Sequence, residues 1–211
     1  MSITAINHLA FITPDLPKTI RFYRDLLGLE LFGGIGHDGY RHYFFKFGDN
    51  QIAFFQYAGA HVMERKFHGV RTEKPLGFDH VSLTVSSCAE LFGMKDRLEA
   101  ADVEVTGPID HGFIWSIYFF DPNNIPLEVS WEILEVTRGP IISETEPVPE
   151  AEEGTSPQPG KWPAVTTPTP PERWAAKAGN GHAMREAALR EGRAHPTEEY
   201  LRVLERSGAR G

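Results

Sequence analysis

Cysteine is nearly absent: Cys88 stands alone among 211 residues. A single thiol excludes an intramolecular disulfide and any Cys-based zinc site, and it fits a reducing compartment. No apolar run approaches the ~18 residues of a membrane span. The N-terminal MSITAINHLAF has neither the basic region nor the cleavage site of a secretory signal. A cytoplasmic protein without a membrane partner is therefore expected. Positive charge is the minority sign, with 21 Lys and Arg against 29 Asp and Glu. By segment, residues 1–136 carry −7, residues 137–172 carry −4 and residues 173–211 carry +3. An acidic body argues against a broad nucleic-acid surface, and the tail is too mixed in sign to reverse that. What the chain does have is an ordinary hydrophobic share, 41%, enough for a core that needs no staples.

Proline divides the chain. Nine of the sixteen prolines fall in residues 137–172, in runs such as Glu146-Pro147-Val148-Pro149 and Pro168-Thr169-Pro170-Pro171. Proline lacks the N–H that helices and central strands need, so 137–172 reads as an extended linker or wrapping arm. The globular body ends near Val136. Residues 173–192 and 197–207 have helical composition, with Pro196-Thr197-Glu198-Glu199 as a helix start and Gly208 as a stop.

The body contains an internal repeat. Ile6-Asn7-His8-Leu9-Ala10-Phe11 matches Phe78-Asp79-His80-Val81-Ser82-Leu83, 72 residues later, with a histidine third in each apolar strand. Each copy continues into an amphipathic helix, Leu16–Leu27 and Ser86–Ala101. Three β-rich segments follow in each: near 29–34, 40–47 and 51–57, then 103–109, 114–120 and 125–131. The body thus reads as two tandem βαβββ modules, 1–72 and 73–136, followed by the proline-rich arm 137–172 and a helical tail 173–211. Units of this size cannot each close a core alone. Paired, they give an α+β fold with a curved eight-stranded sheet around a cleft, into which both histidines point.

This pattern resembles the vicinal oxygen chelate superfamily, which includes glyoxalase I, thiol transferases giving fosfomycin resistance, bleomycin-resistance proteins and type I extradiol dioxygenases. The resemblance covers about residues 3–135. It implies a metal held by His8, His80 and Glu128. Strand alternation puts Glu128 on the face opposite Leu127 and Val129, and a carboxylate in so apolar a strand is costly unless paired or metal-bound. Two histidines and one carboxylate leave open positions, which suits Fe(II), with Mn(II) also compatible. Glyoxalase-type sites draw a fourth ligand from the last strand of the first module. Counting from Asn50 and Asn124 places Phe54 there, and Phe54 cannot ligate; Gln56, two residues on, keeps a fourth ligand open.

The run His111 … Tyr118 … Asp121-Pro122 … Glu128 resembles the extradiol dioxygenase signature. It departs from that signature at Asn124, where glycine or proline is usual, and at Asn50-Gln51, where an acid-base histidine is usual; His61 and His68 are possible substitutes. The resemblance implies a dioxygenase, an oxidoreductase of aromatic catabolism, that cleaves a catechol-type diol with O₂. In it His111 and Tyr118 are catalytic, and Gln56, Phe113 and Trp115 contact substrate, although Phe113 and Trp115 are equally readable as core. The alternatives are a Mn(II)-dependent thiol transferase of the fosfomycin-resistance type and a glyoxalase-like lyase or isomerase. A homo-oligomer is expected, with the modules pairing within one chain or swapping between chains.

Overall fold

The structure is a computed structural model that describes residues 7–37, 40–57, 59–71, 80–138, 159–160, 163–178 and 181–207. Ile6, Phe78 and Asp79 of the repeat, and most of the proline-rich stretch, lie outside the described residues. The chain forms two compact units, Met1–Glu135 and Val136–Gly211. Among the described residues, no helix is long and apolar enough to cross a membrane.

The first unit is α+β and contains both βαβββ modules. The first module runs β1 (His8–Thr13), α1 (Leu16–Ile20) with a π-wound continuation over Arg21–Leu26, then β2 (Glu30–His37), β3 (Tyr40–Phe47) and β4 (Asn50–Gln56). The second runs β5 (Val81–Val85), α2 (Cys88–Ala100), β6 (Thr106–Asp110), β7 (Ile114–Phe120) and β8 (Pro126–Glu132). The eight strands divide into two four-stranded sheets, β1-β4-β3-β2 and β5-β8-β7-β6, with the first strand of each module parallel to the last.

Local chemistry starts and stops the helices. Asp15 caps α1 by accepting from the Lys18 amide (3.0 Å), and Pro17 sits in the first turn, where its missing N–H costs nothing. In the π-wound segment the Leu27 amide reaches back five residues to the Phe22 carbonyl (2.9 Å). Gly28 then ends the helix at φ +78°, a conformation open to glycine. Ser87 caps α2 by accepting from the Glu90 amide, while the Glu90 carboxylate returns to the Ser86 amide (2.8 Å).

Both modules bury their helix-facing side chains in one shared core. Tyr23 packs against Phe54 (ring centroids 4.8 Å) and Phe45 (5.6 Å), and Phe22 reaches Phe119 of the other module (6.4 Å). A buried polar clamp adds to this. Tyr23 donates to Asp121 (3.1 Å), Thr13 donates to Asn123 (2.8 Å), and the Asn123 side chain donates to Asp121 (3.0 Å). Asp121 also accepts from the Asn123 and Ile125 amides (2.7 and 2.8 Å). Burial pushes the Asp121 carboxyl above its usual pKa against these bonds, and burial followed by the Asp121 charge raises that of Tyr23. The clamp fixes the five-residue turn Asp121–Ile125 that feeds β8. Asn124 takes φ +61° there, the left-handed conformation an asparagine tolerates.

In the second unit, a short 3₁₀ turn (Pro171–Arg173) precedes α3 (His182–Arg190) and α4 (Glu198–Ser207). The Thr197 hydroxyl accepts from the Tyr200 amide (3.2 Å) at the start of α4, and Arg185 of α3 donates to the Tyr200 hydroxyl (3.3 Å).

Candidate functional site

The register of β5, β7 and β8 builds the site. Glu128 of β8 lies between Ser82 of β5 and Tyr118 of β7 as direct cross-strand neighbours. Alternation puts Ser116, Tyr118, Glu128 and Ser130 on the same face, away from the α2 core. The Tyr118 hydroxyl donates to Glu128 Oε1 (2.9 Å), and His80 Nε2 lies 2.9 Å from Glu128 Oε2. His111 Nε2 lies 2.8 Å from the Tyr118 oxygen. A phenol has one proton, and Tyr118 gives it to Glu128, so His111 Nε2 is the donor toward Tyr118. A tight turn presents His111: Gly112 at φ +84° bonds to the Asp110 carboxylate (2.7 Å), and the His111 amide bonds to the Ile114 carbonyl (2.9 Å).

Glu128 is 3% exposed. Burial pushes its carboxyl up, but the hydroxyls of Ser116, Tyr118 and Ser82 and the His80 imidazole outweigh it, so its pKa falls below the usual value. The site therefore holds a buried anion with one oxygen aimed at an imidazole nitrogen. An imidazole nitrogen and a carboxylate oxygen are a donor pair suited to a divalent transition metal, and these two already converge.

His8 lies elsewhere. It is exposed on edge strand β1, bonds to the Asn7 side chain (2.8 Å) and meets Phe44 edge-on (6.0 Å). Among the described residues, no three His, Cys, Asp or Glu side chains gather as a metal-binding group. Within the chain, His8 therefore does not join His80 and Glu128 in one cleft. On the α1 side the modules meet through Phe22 and Phe119 (6.4 Å) and through Tyr23 and Asp121 (3.1 Å).

The register also corrects the first module. Ala10 pairs with Ala53 and Phe44 with Ala53, as Ser82 and Tyr118 pair with Glu128. The counterpart of Glu128 is thus Ala53. Phe54 points the other way, into the Tyr23 core, and is fully buried. Gln56 shares the Phe54 side, and its amide donates to the Pro14 carbonyl (3.0 Å), so it is not on the ligand face. Trp115 likewise faces the core, with its ring edge-on to Trp131 (5.7 Å). Phe113 lies in the turn beside His111 and is 40% exposed.

A residue that sequence reasoning left unplaced enters the site. His68, in the segment between the modules, lies flat on Tyr118, with centroids 3.5 Å apart and planes at 6°. Its ring also meets His80 edge-on at 6.2 Å. His61, the other histidine of that segment, is exposed.

Residues 5–129 match the family described as the Glyoxalase/Bleomycin resistance protein/Dioxygenase superfamily. Among solved structures, the chain is similar to a glyoxylase/bleomycin resistance protein/dioxygenase domain from Frankia sp. EAN1pec. The identity is 22% and the TM-score 0.54, over 62% of this chain and 99% of that one. It is also similar to the fosfomycin resistance protein FosX from Listeria monocytogenes, at 23% identity and TM-score 0.50, over 63% of this chain and 97% of that one. At these identities the likeness is one of fold.

Proposed function

Since the chain belongs to the Glyoxalase/Bleomycin resistance protein/Dioxygenase superfamily, we propose that it is a metal-dependent dioxygenase of the extradiol type. Its substrates are a catechol-type aromatic diol and O₂, and its metal is Fe(II), held by His80 and Glu128. The observation that carries this reading is the continuous hydrogen-bonded chain His111–Tyr118–Glu128–His80. Bound at this site, Fe(II) supplies Lewis acidity and electron transfer toward O₂.

The chain's own residues handle charge and protons. Glu128, held ionised, supplies the negative charge that a cation needs. With a metal bound, His80 would offer it the Nε2 lone pair in place of its contact with Glu128 Oε2, its single ring proton sitting on Nδ1. Tyr118 and His111 form a donor pair beside the carboxylate. Tyr118 keeps its hydroxyl bond to Glu128 and His111 keeps its Nε2–H on Tyr118; the exposed His111 would take a second proton from solvent on Nδ1 and pass that one to a substrate oxygen. The third ligand in this reading is His8, contributed by a second copy of the chain. The expected homo-oligomer would then be part of the site.

One observation favours a second reading, a Mn(II)-dependent transferase of the fosfomycin-resistance type on the same donors. Gln51 pairs with His8, where an extradiol enzyme would be expected to offer an acid-base histidine nearby. The glyoxalase-like alternative loses support, because Gln56 is turned to Pro14.

The test is anaerobic Fe(II) loading followed by oxygen uptake with a panel of catechols, watching for a yellow ring-cleavage product. Oxygen consumption with a yellow product is expected. Iron-loaded protein that consumes no oxygen with any catechol, and with Mn(II) adds a thiol to an epoxide, promotes the transferase.

A further inference from the structure

The segment between the modules is fastened to the second module at several points. The Met63 amide donates to the Asn123 carbonyl (2.9 Å), and the Asn124 side chain donates to the Met63 carbonyl (2.7 Å). Arg65 pairs with Glu104 (3.1 Å) and lies over the Phe120 ring (4.6 Å). Phe67 meets Phe120 edge-on at 5.3 Å. The next residue, His68, covers Tyr118. We propose that Met63–His68 is a strap and that His68 is the positioning residue that holds Tyr118 between Glu128 and His111.

Geometry favours positioning over proton transfer. Two rings 3.5 Å apart and within 6° of parallel present their polar edges sideways. An imidazole in that pose cannot hydrogen-bond the phenol oxygen it covers. It can stop the phenol from tilting, and a tilt would break the 2.8 and 2.9 Å bonds on either side of the Tyr118 oxygen. Near face-to-face stacking is a poor arrangement for two rings left to themselves, and the anchors at Met63, Arg65 and Phe67 hold the segment that carries His68 against β7. The inference rests on the metal-enzyme reading only in giving Tyr118 a task there.

Flat-ring replacement separates the two roles. His68→Phe keeps a planar ring and removes both nitrogens, whereas His68→Leu removes the plane. Tyrosine labelled with ¹³C at Cζ reports the phenol directly, and Tyr118→Phe identifies the Tyr118 signal among six tyrosines. Mn(II) affinity by calorimetry is the second readout. The expected result is that His68→Phe keeps the wild-type Cζ shift and a Mn(II) Kd within about threefold. His68→Leu should move the shift and weaken Mn(II) about tenfold, in the range for residues that orient a ligand. Adding His68→Leu to Tyr118→Phe should then cost nothing further, because the two act through one group. A His68→Phe protein as impaired as His68→Leu, or full additivity with Tyr118→Phe, overturns the proposal. Wild-type protein that binds no Mn(II) or Fe(II) overturns the metal-enzyme reading instead, and the Cζ shifts alone then decide the role of His68.

Discussion

Ala53 and Glu128 occupy the same place in two copies of one architecture. Around Glu128 stand Ser82, Tyr118 and Ser116; around Ala53 stand Ala10, Phe44 and His42. The second copy gathers hydroxyls about a carboxylate and holds it ionised. The first gathers rings about a methyl group. His42 lies flat on Phe55 at 3.5 Å, and burial, then the nearby His8, pushes its pKa down. Strand order sets where a side chain points, and the neighbours across the ladder decide whether a charge can live there. One βαβββ scaffold thus carries a polar centre in one copy and, in the other, a largely aromatic wall with His8 exposed on its edge strand.

The largest expected effect comes from removing the carboxylate. Glu128→Ala and His80→Ala should each lower metal affinity by more than the ~10–100-fold that loss of an outer-shell partner costs. Metal analysis of purified variants checks this, and a His80→Ala protein with full occupancy would remove the site from the second module. Transplanting the carboxylate tests the converse. Ala53→Glu puts a charge in a fully buried position beside Phe44 and Ala10. It should cost about 3 kcal/mol, a fall of roughly 10 °C in Tm, without creating a metal site. Phe44→Tyr added to it should recover part of the loss by supplying the donor that Tyr118 gives Glu128. A double variant no more stable than Ala53→Glu would show that the ladder neighbour is not what matters.

The Asp121 clamp comes next. Asn123→Ala should destabilise by about 1–3 kcal/mol in urea unfolding, because it strands buried partners. Asp121 also makes a pH-dependent contribution. Its folded pKa lies above the unfolded value of 3.8, so its stabilisation is fully present below that value and declines as pH rises through the folded one. The stability of wild type relative to Asp121→Asn should therefore shrink from acid toward neutral pH. A constant difference would show that the carboxyl titrates alike in both states. The smallest effect is expected from the tail. Truncation after Glu135 should leave the first unit's cooperative unfolding intact, with Tm moved by only a few degrees; a non-cooperative melt would show that the body needs its second unit.

The repeat was legible because a histidine stands third in each of two apolar hexapeptides of the sequence, and the helices followed from their periodicity. Glu128, Tyr118 and Ser130 could be set on one face by alternation alone. What misled was turn length. Phe47 pairs with Asn50 across the two-residue turn Gly48-Asp49, whereas Phe120 pairs with Pro126 across five residues. Counting from Asn50 and Asn124 as if these turns matched slides the first module by one residue, and in a strand one residue is the difference between faces. That is how Phe54 took the place of Ala53. Trp115, readable either as pocket wall or as core, takes the core side, on the face of β7 opposite Tyr118. His68 was read only as a possible stand-in for an acid-base histidine, and nothing in the sequence sets it on Tyr118. Its importance comes from a strap whose anchors, Asn123, Glu104 and Phe120, lie 36 or more residues further along the chain.

The clamp between Tyr23, Thr13 and the Asp121 turn also has a history within each molecule. Its hydrogen bonds span 98 and 110 residues. During synthesis at about 5–20 residues per second, the first module emerges with Tyr23 and Thr13 ready for partners that do not yet exist. It waits roughly 5–20 s for the turn that accepts their protons. Until then the aromatic face of its helix has no lid from Phe119, and the nascent chain carries an exposed hydrophobic surface. A ribosome stalled between the modules would hold this helix face uncovered, waiting for the Asp121 turn and Phe119 to close over it.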